Sequence, residues 1–346
     1  MAPEDRSRYP LYNTTFSLHR LSPLYTGSDA PLDNAILRQH AKRFRDILAG
    51  EVLRGVRVGL SKEDDVLARV GALLTVTWRL LPEEEAWTGE EDPSSDDATM
   101  TWALCRGTIF TVTYEKMVYK AIMMRNERGD YPDASMVTVR EEMDGFQSFP
   151  LLLVKMPGSL REAFTSFLAT TFDIRISLLH LSSMYLTDTF ERYLEDISMG
   201  EDGELLDLIE RSRTLRNIIK EILVVVGFDI PGGSAALKTI EINIDREDVP
   251  RMLARGKAID RHTERESPFF DALTSYIQGH LALDLQNDKV KIVRIACGAF
   301  VLGSEGKIKL TQSSNDNDGD ASRSAATRRL INSLTDAAGG GLLAAG

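Results

Sequence analysis

The sequence predicts a mixed α/β fold in which largely antiparallel sheets are flanked by helices, and three stretches carry that reading. Between Thr239 and Asp245, Ile240, Ile242 and Ile244 alternate with Thr239, Glu241, Asn243 and Asp245, the period-two pattern of a strand with one face in water. From Leu32 to Leu48, Ile36, His40, Phe44, Ile47 and Leu48 recur at helical spacing. After the chain break at Pro157 and Gly158, Leu160, Ala163, Phe164, Phe167 and Leu168 form a second apolar stripe on a helix. With 346 residues, 43% of them hydrophobic and 27% charged, the chain is long enough for a real core and for about two domains at roughly 150 residues each.

Residues 1–10 read as a flexible polar arm and residues 11–150 as a sheet-rich α/β domain. Phe16 to Ser22 (FSLHRLS) reads as a strand, followed by the helix from Leu32. Gly55 to Leu60 (GVRVGL) and Ala72 to Leu80 (ALLTVTWRL) are β-rich runs. A loop over 82–98 follows, and Thr101 to Tyr114 is another run of β-branched and aromatic residues.

Residues 151–310 read as a second α/β domain. Ser159 with Glu162 three residues on has the form of a capping box opening a helix. Phe172 to Ser182 reads as a strand and Met184 to Ile197 as a helix. Asn217 to Phe228 fits helix by spacing and strand by its β-branched run; the IPGGSA turn that follows favours a hairpin with Leu237 to Asp245. Ser267 and Pro268 suit an N-cap and first helical position, starting a helix to about Leu281. Lys289 to Leu302 is strand-like, but its apolar phase shifts at Ile292 and Val293, which predicts a bulge, and Gly298 interrupts it. Residues 311–346 are too polar for a core and read as a disordered tail, with a short helix near Ala325 to Leu334.

Composition removes several function classes. The polar start MAPEDRSRYP does not read as a secretory signal, and Ile222 to Phe228, among the longest apolar runs, is far below the roughly 18 residues a spanning helix needs, so no membrane partner is expected. Cys105 and Cys297, the only cysteines, support neither a disulfide framework nor a thiol-rich metal site. Net charge is −11, but eight acids and no base lie between Pro82 and Ala98, whereas Arg38 to Lys62 holds seven bases against Asp46 and Glu51. Binding follows the local field rather than the total charge.

The parts of a catalyst do not assemble. His19, His40, His180, His262 and His280 show no HExxH spacing. VLGSEGKI has Val301 where a phosphate loop needs its first glycine, and Ile308 where it needs Ser or Thr. Pro231 to Ser234 (PGGS) is neither a nucleophile elbow nor a dinucleotide fingerprint, and reads as a turn. Glu141-Glu142 and Glu201-Asp202 read as solvated carboxylates. No enzyme activity, cofactor or metal is expected.

Three blocks carry a family resemblance: Thr14 to Tyr25 (TTFSLHRLSPLY), Phe149 to Ser177, and Leu237 to Val249 continued by Phe269 to Leu310. In order and spacing they resemble the centromere protein L (CENP-L) family, nearest its fungal branch, over most of residues 11 to 310. The resemblance implies curved sheets flanked by helices and a nuclear, non-catalytic inner-kinetochore subunit of the constitutive centromere-associated network. It also implies pairing with a CENP-N-like subunit through the C-terminal domain, and contact with other inner-kinetochore subunits. On that reading, strands such as Leu237 to Asp245 or Lys289 to Leu302 supply a sheet edge, with Ile292, Ile295, Phe300 and Leu302 at or near the heterodimer surface; the alternative is that all four are core. Arg38, Lys42, Arg43 and Arg45 are candidates for non-specific contact with DNA phosphates in a nucleosome complex, against the alternative of a solvated helix face. Outside the family reading, the chain is a generic α/β adaptor that homodimerises through an open sheet edge.

Overall fold

A computed structural model of the chain describes residues 8–27, 32–53, 69–87, 105–126, 145–200, 204–229, 238–259, 267–312 and 320–340, and every structural statement concerns these. The expected strand over 55–60, most of the acidic loop, His262, the paired acids at 141–142 and 201–202 and the PGGS segment lie outside them. By its internal contacts the chain divides into two units: residues 1–10, 16–179 and 334–346 form the first, and residues 11–15 and 180–333 the second.

In the first unit β1 (Thr15–Leu21), β3 (Leu73–Pro82), β4 (Cys105–Tyr114), β5 (Val118–Met124), β7 (Leu151–Lys155) and the short β8 (Ile176–Leu178) make an antiparallel sheet in the order β8-β1-β7-β5-β4-β3. A separate two-residue ladder joins β2 (Leu24–Tyr25) to β6 (Phe146–Gln147). Strands β5 and β7 lack alternation because both their faces are largely covered, and periodicity alone gave no sign of them. Gly107 in β4 admits no side chain, since an added Cβ would stand 2.0 Å from the Met123 carbonyl oxygen on β5.

Helix α1 (Asn34–Leu53) and helix α2 (Gly158–Phe172) put their stripes into one aromatic core. Phe44 of α1 meets Phe110 of β4 at 5.4 Å between ring centroids and Phe167 of α2 at 5.1 Å; Phe110 stacks on Phe164 at 4.5 Å. The buried positions of α1 are Leu37, Ala41 and Phe44, while Ile47 points to water, so the stripe is turned slightly from the expected one. Helix α2 begins two residues earlier than the capping box implies: Pro157 is its N-cap, and Ser159 falls inside the first turn. The strand expected over Phe172 to Ser182 is cut to three residues. Phe172 still belongs to α2, and Asp173 ends the helix in the left-handed conformation, φ 50°.

Within the second unit the antiparallel strands run in the order β10-β9-β11-β12-β13, built from β9 (Glu221–Phe228), β10 (Thr239–Asp245), β11 (Val290–Ala296), β12 (Phe300–Gly303) and β13 (Lys307–Leu310). The ambiguous stretch resolves in favour of the hairpin: α4 (Leu208–Ile218) ends at its start, and β9 pairs with β10. The bulge falls at Val293, where the β11–β9 register shifts between Ile292 and Arg294. Its freed groups find other partners: the Ile292 amide donates to Ser183 Oγ at 3.0 Å, and the Val293 carbonyl accepts from the Ser304 amide at 2.8 Å. The phosphate-loop-like VLGSEGKI is the tight β12–β13 hairpin, with Gly306 at φ 72°.

Helix α3 (Ser183–Asp196) packs on β11, and α5 (Val249–Lys257) packs on α6 (Pro268–Leu281). Helix α3 is capped by Ser182, whose Oγ accepts from the Tyr185 amide at 3.1 Å.

The C-terminal segment departs from the expectation of disorder over residues 320–339. The short helix read there extends to α7 (Asp320–Gly339), with Ala326, Leu330, Ile331, Leu334, Ala337 and Ala338 buried. Its stripe is rich in alanine, and small side chains carry little weight in a hydrophobicity count although they pack closely. In the second unit Arg323 Nη2 donates to the carbonyls of Gly298 and Thr311, at 3.2 and 2.6 Å. Arg329 pairs there with Asp196, and Ser333 meets the Tyr185 hydroxyl at 3.1 Å. In the first unit Arg20 of β1 donates from Nε and Nη2 to the carbonyls of Ala338 and Ala337, both at 3.0 Å, which caps the last turn with a positive charge.

Candidate functional site

Two features of the fold bear on partner binding: the free border of the second unit's sheet and the basic face of α1. The sequence offered two strand regions as an edge, and hydrogen bonding separates them. Strand β11 lies between β9 and β12, and β12 between β11 and β13, so neither has an open ladder. Strand β10 pairs with β9 alone, from Thr239 opposite Gly227 to Asp245 opposite Glu221, and among the described strands it borders this sheet. Thr239, Glu241, Asn243 and Asp245 are exposed, Ile240 and Ile242 half-buried and Ile244 buried, so the alternation read from the sequence is the alternation of the structure. A strand of seven residues paired on one side offers backbone donors and acceptors to an incoming strand.

Ile292, Ile295, Phe300 and Leu302 are all buried, the most accessible of them, Ile292, at 6%. Ile295 lies opposite Leu302 on β12 and Val224 on β9, and Ile292 opposite Val226. Phe300 packs edge-on against Tyr193 of α3 at 5.0 Å. These four side chains are buried within their own unit.

The bases of α1 are where periodicity puts them. Arg38, Lys42, Arg43 and Arg45 are exposed, with Arg38, Lys42 and Arg45 along one stripe at i, i+4 and i+7 and Arg43 farther round the helix. Asp33 Oδ1 accepts from the Ile36 amide at 2.7 Å and opens the helix; Asn34 Oδ1 accepts from the Leu80 amide at 2.8 Å and ties the helix to β3. Arg38 Nε donates back to the Asn34 carbonyl at 3.1 Å. His40, on the flank toward the core, is held below the usual histidine range by burial and by Arg43, so it adds no charge to the face near neutral pH.

Among the described residues no three His, Cys, Asp or Glu side chains converge as a metal site would require, and no helix is long and apolar enough to cross a membrane. His19 is buried, with its pKa lowered mainly by that burial, and His280 stacks on Tyr276 at 4.2 Å. Burial raises the pKa of both thiols, that of Cys105 to about 11, which keeps them protonated and poorly nucleophilic.

Sequence reasoning missed the burial of Glu191. Glu191 of α3 is 5% exposed, and its Oε1 accepts from the Phe270 amide at 2.9 Å in the first turn of α6. Ser267, the N-cap by position, makes no side-chain cap bond, so a carboxylate from another helix does that work. Burial is the main cause that raises Glu191 to about 7, against the lowering effect of the Phe270 and Phe269 amides. Nothing in the local sequence of α3 or α6 signals this pairing.

Comparison with known proteins adds one finding. The family model described as centromere protein L (CENP-L) matches residues 10–339, nearly the whole chain. None of the curated proteins matches it.

Proposed function

The chain belongs to the centromere protein L family, and from that premise we propose that it is a non-catalytic structural subunit of the inner kinetochore that pairs with a CENP-N-like subunit and helps link centromeric nucleosomes to the kinetochore. Proteins of this family are components of the nuclear centromere and kinetochore. The observation that supports pairing is the β10 border, a seven-residue strand with a partner on one side, backed by a sheet whose interior holds Ile292, Ile295, Phe300 and Leu302. Those four residues act from behind the edge, keeping β11 and β12 in register so that β9 and β10 are presented rigidly.

Co-expression with the CENP-N-like protein of the same source, followed by size-exclusion chromatography with light scattering, tests this. A stable one-to-one complex that joins centromeric nucleosomes is expected. Glu241→Lys with Asn243→Lys, on the exposed face of β10, should weaken the complex at least tenfold while the circular dichroism spectrum stays unchanged. Elution as a self-associated dimer beside a folded partner would favour instead an adaptor that homodimerises through the same edge.

The exposed Arg38, Lys42, Arg43 and Arg45 support a second interaction, with nucleosomal DNA. Bases at these spacings neutralise phosphates without reading sequence, and every phosphate left without its base should lower the slope of log K against log salt by about one. Replacing all four by glutamine should therefore flatten the salt dependence of nucleosome binding. An unchanged slope would make the face a solvated surface.

A further inference from the structure

The second unit carries an apolar tip that the pairing reading does not use. Leu205, Leu208 and Ile209 are 59%, 84% and 81% exposed, three large side chains within five residues where the chain enters α4. The tip is well defined. Gly200 donates to the Glu204 carbonyl at 2.8 Å and Leu206 to the Ser198 carbonyl at 3.0 Å, around a bridge between Met199 and Leu205. Asp207 then caps the helix, its Oδ1 accepting from the Ile209 and Glu210 amides, both at 2.8 Å. Leu215 and Ile218 anchor the far end of α4 in the core. The helix thus spends its buried face elsewhere and holds Leu208 and Ile209 out in water, an arrangement that apolar clusters on stable surfaces keep for binding.

The surrounding charge says what kind of partner fits. Glu204, Asp207 and Glu210 are exposed around the three apolar residues. The sequence from Glu195 to Glu210 holds seven acids and no base; Arg329 pairs with Asp196, and Arg211 reaches back to Ser198, which still leaves the balance of the tip acidic. That field repels nucleic acid and anionic lipid and attracts lysine and arginine. We infer that the Leu205–Ile209 tip is a docking surface for a basic amphipathic segment of another protein, whose apolar residues cover Leu205, Leu208 and Ile209 while its bases face Glu204, Asp207 and Glu210. The inference does not depend on the β10 edge or on the CENP-N-like partner.

The test uses the full chain with methyl-labelled Leu and Ile and, as probe, a synthetic amphipathic helix of leucine and lysine, with a leucine and glutamate peptide of the same pattern as control. Saturable shifts confined to Leu205, Leu208 and Ile209 are expected with the lysine peptide only. Leu208→Ser with Ile209→Ser, both at exposed positions, should weaken binding at least tenfold. Glu204→Gln with Glu210→Gln should weaken it several-fold and reduce its salt dependence. Equal binding of both peptides, shifts located elsewhere, no saturable shift, or methyl shifts that follow the chain's own concentration would each overturn the inference, the last by showing a second copy on the tip.

Discussion

Burial changes what Glu191 can do chemically. Its pKa, raised from 4.5 to about 7, means that the folded state holds a proton which the unfolded chain has already released. The stability it contributes is therefore complete below about pH 4.5 and is lost as pH rises to about 7. Thermal or urea unfolding should show a decline of roughly 1–3 kcal/mol across that window. Glu191→Gln keeps an oxygen for the Phe270 amide but cannot ionise, so it should remove the slope and leave the variant more stable than the parent at about pH 8. Arg20 acts at the same scale. Arg20→Ala removes two charge-assisted bonds to Ala337 and Ala338 and should cost about 1.5–3 kcal/mol locally, read as faster amide exchange in the last turns of α7. The sequence shows Arg20 only as a polar position in a strand. Its target lies more than three hundred residues away, beyond any local pattern.

Elements were legible where one face is wet and one dry. Strand β10, helices α1 and α2, and the bulge in β11 all announce themselves by a periodicity or by its interruption, and α6 by the Ser-Pro pair at its start. Strands β5 and β7, covered on both sides, do not. Close approach of elements is equally silent in sequence. Gly256 of α5 lies so near the start of α6 that an added Cβ would stand 1.7 Å from the Pro268 carbonyl oxygen. Because that obstacle is backbone, Gly256→Ala must push the two helices apart. A loss of about 1–3 kcal/mol or more is expected from overpacking, seen as a lowered urea midpoint with an unchanged m-value. Phe44→Ala, which empties the ring cluster shared by α1, β4 and α2, should cost about 3–5 kcal/mol.

For the whole molecule, the C-terminal helix is the largest revision to the sequence reading. Removing residues 320–346 deletes Arg323 and Arg329 from the second unit and takes from Arg20 of the first unit its acceptors at Ala337 and Ala338. It also uncovers the apolar surface under Leu330, Ile331 and Leu334. A truncation after Gly319 should therefore lower the melting temperature by several degrees or more and increase dye binding by exposed apolar surface, which a disordered tail would not do. Partner specificity also belongs to this scale. A sheet border, a basic helix face and an acid-rimmed apolar tip differ in chemistry, so variants at one are expected to leave the others' binding intact.

By itself the sequence determined the fold class, some of the element boundaries, the basic stripe on α1 and the family, because each depends on residue order within a short window. Tertiary structure decided which described strand of the second unit lies at the sheet's border and that Ile292, Ile295, Phe300 and Leu302 are buried. It also decided that Glu191 caps a helix not its own, and that an alanine-rich segment near the C-terminus is packed. The physical reason is common to all of these. Burial and hydrogen-bond pairing are relations between segments distant in the chain, and a periodic pattern reports which face of an element is apolar but not what lies against it.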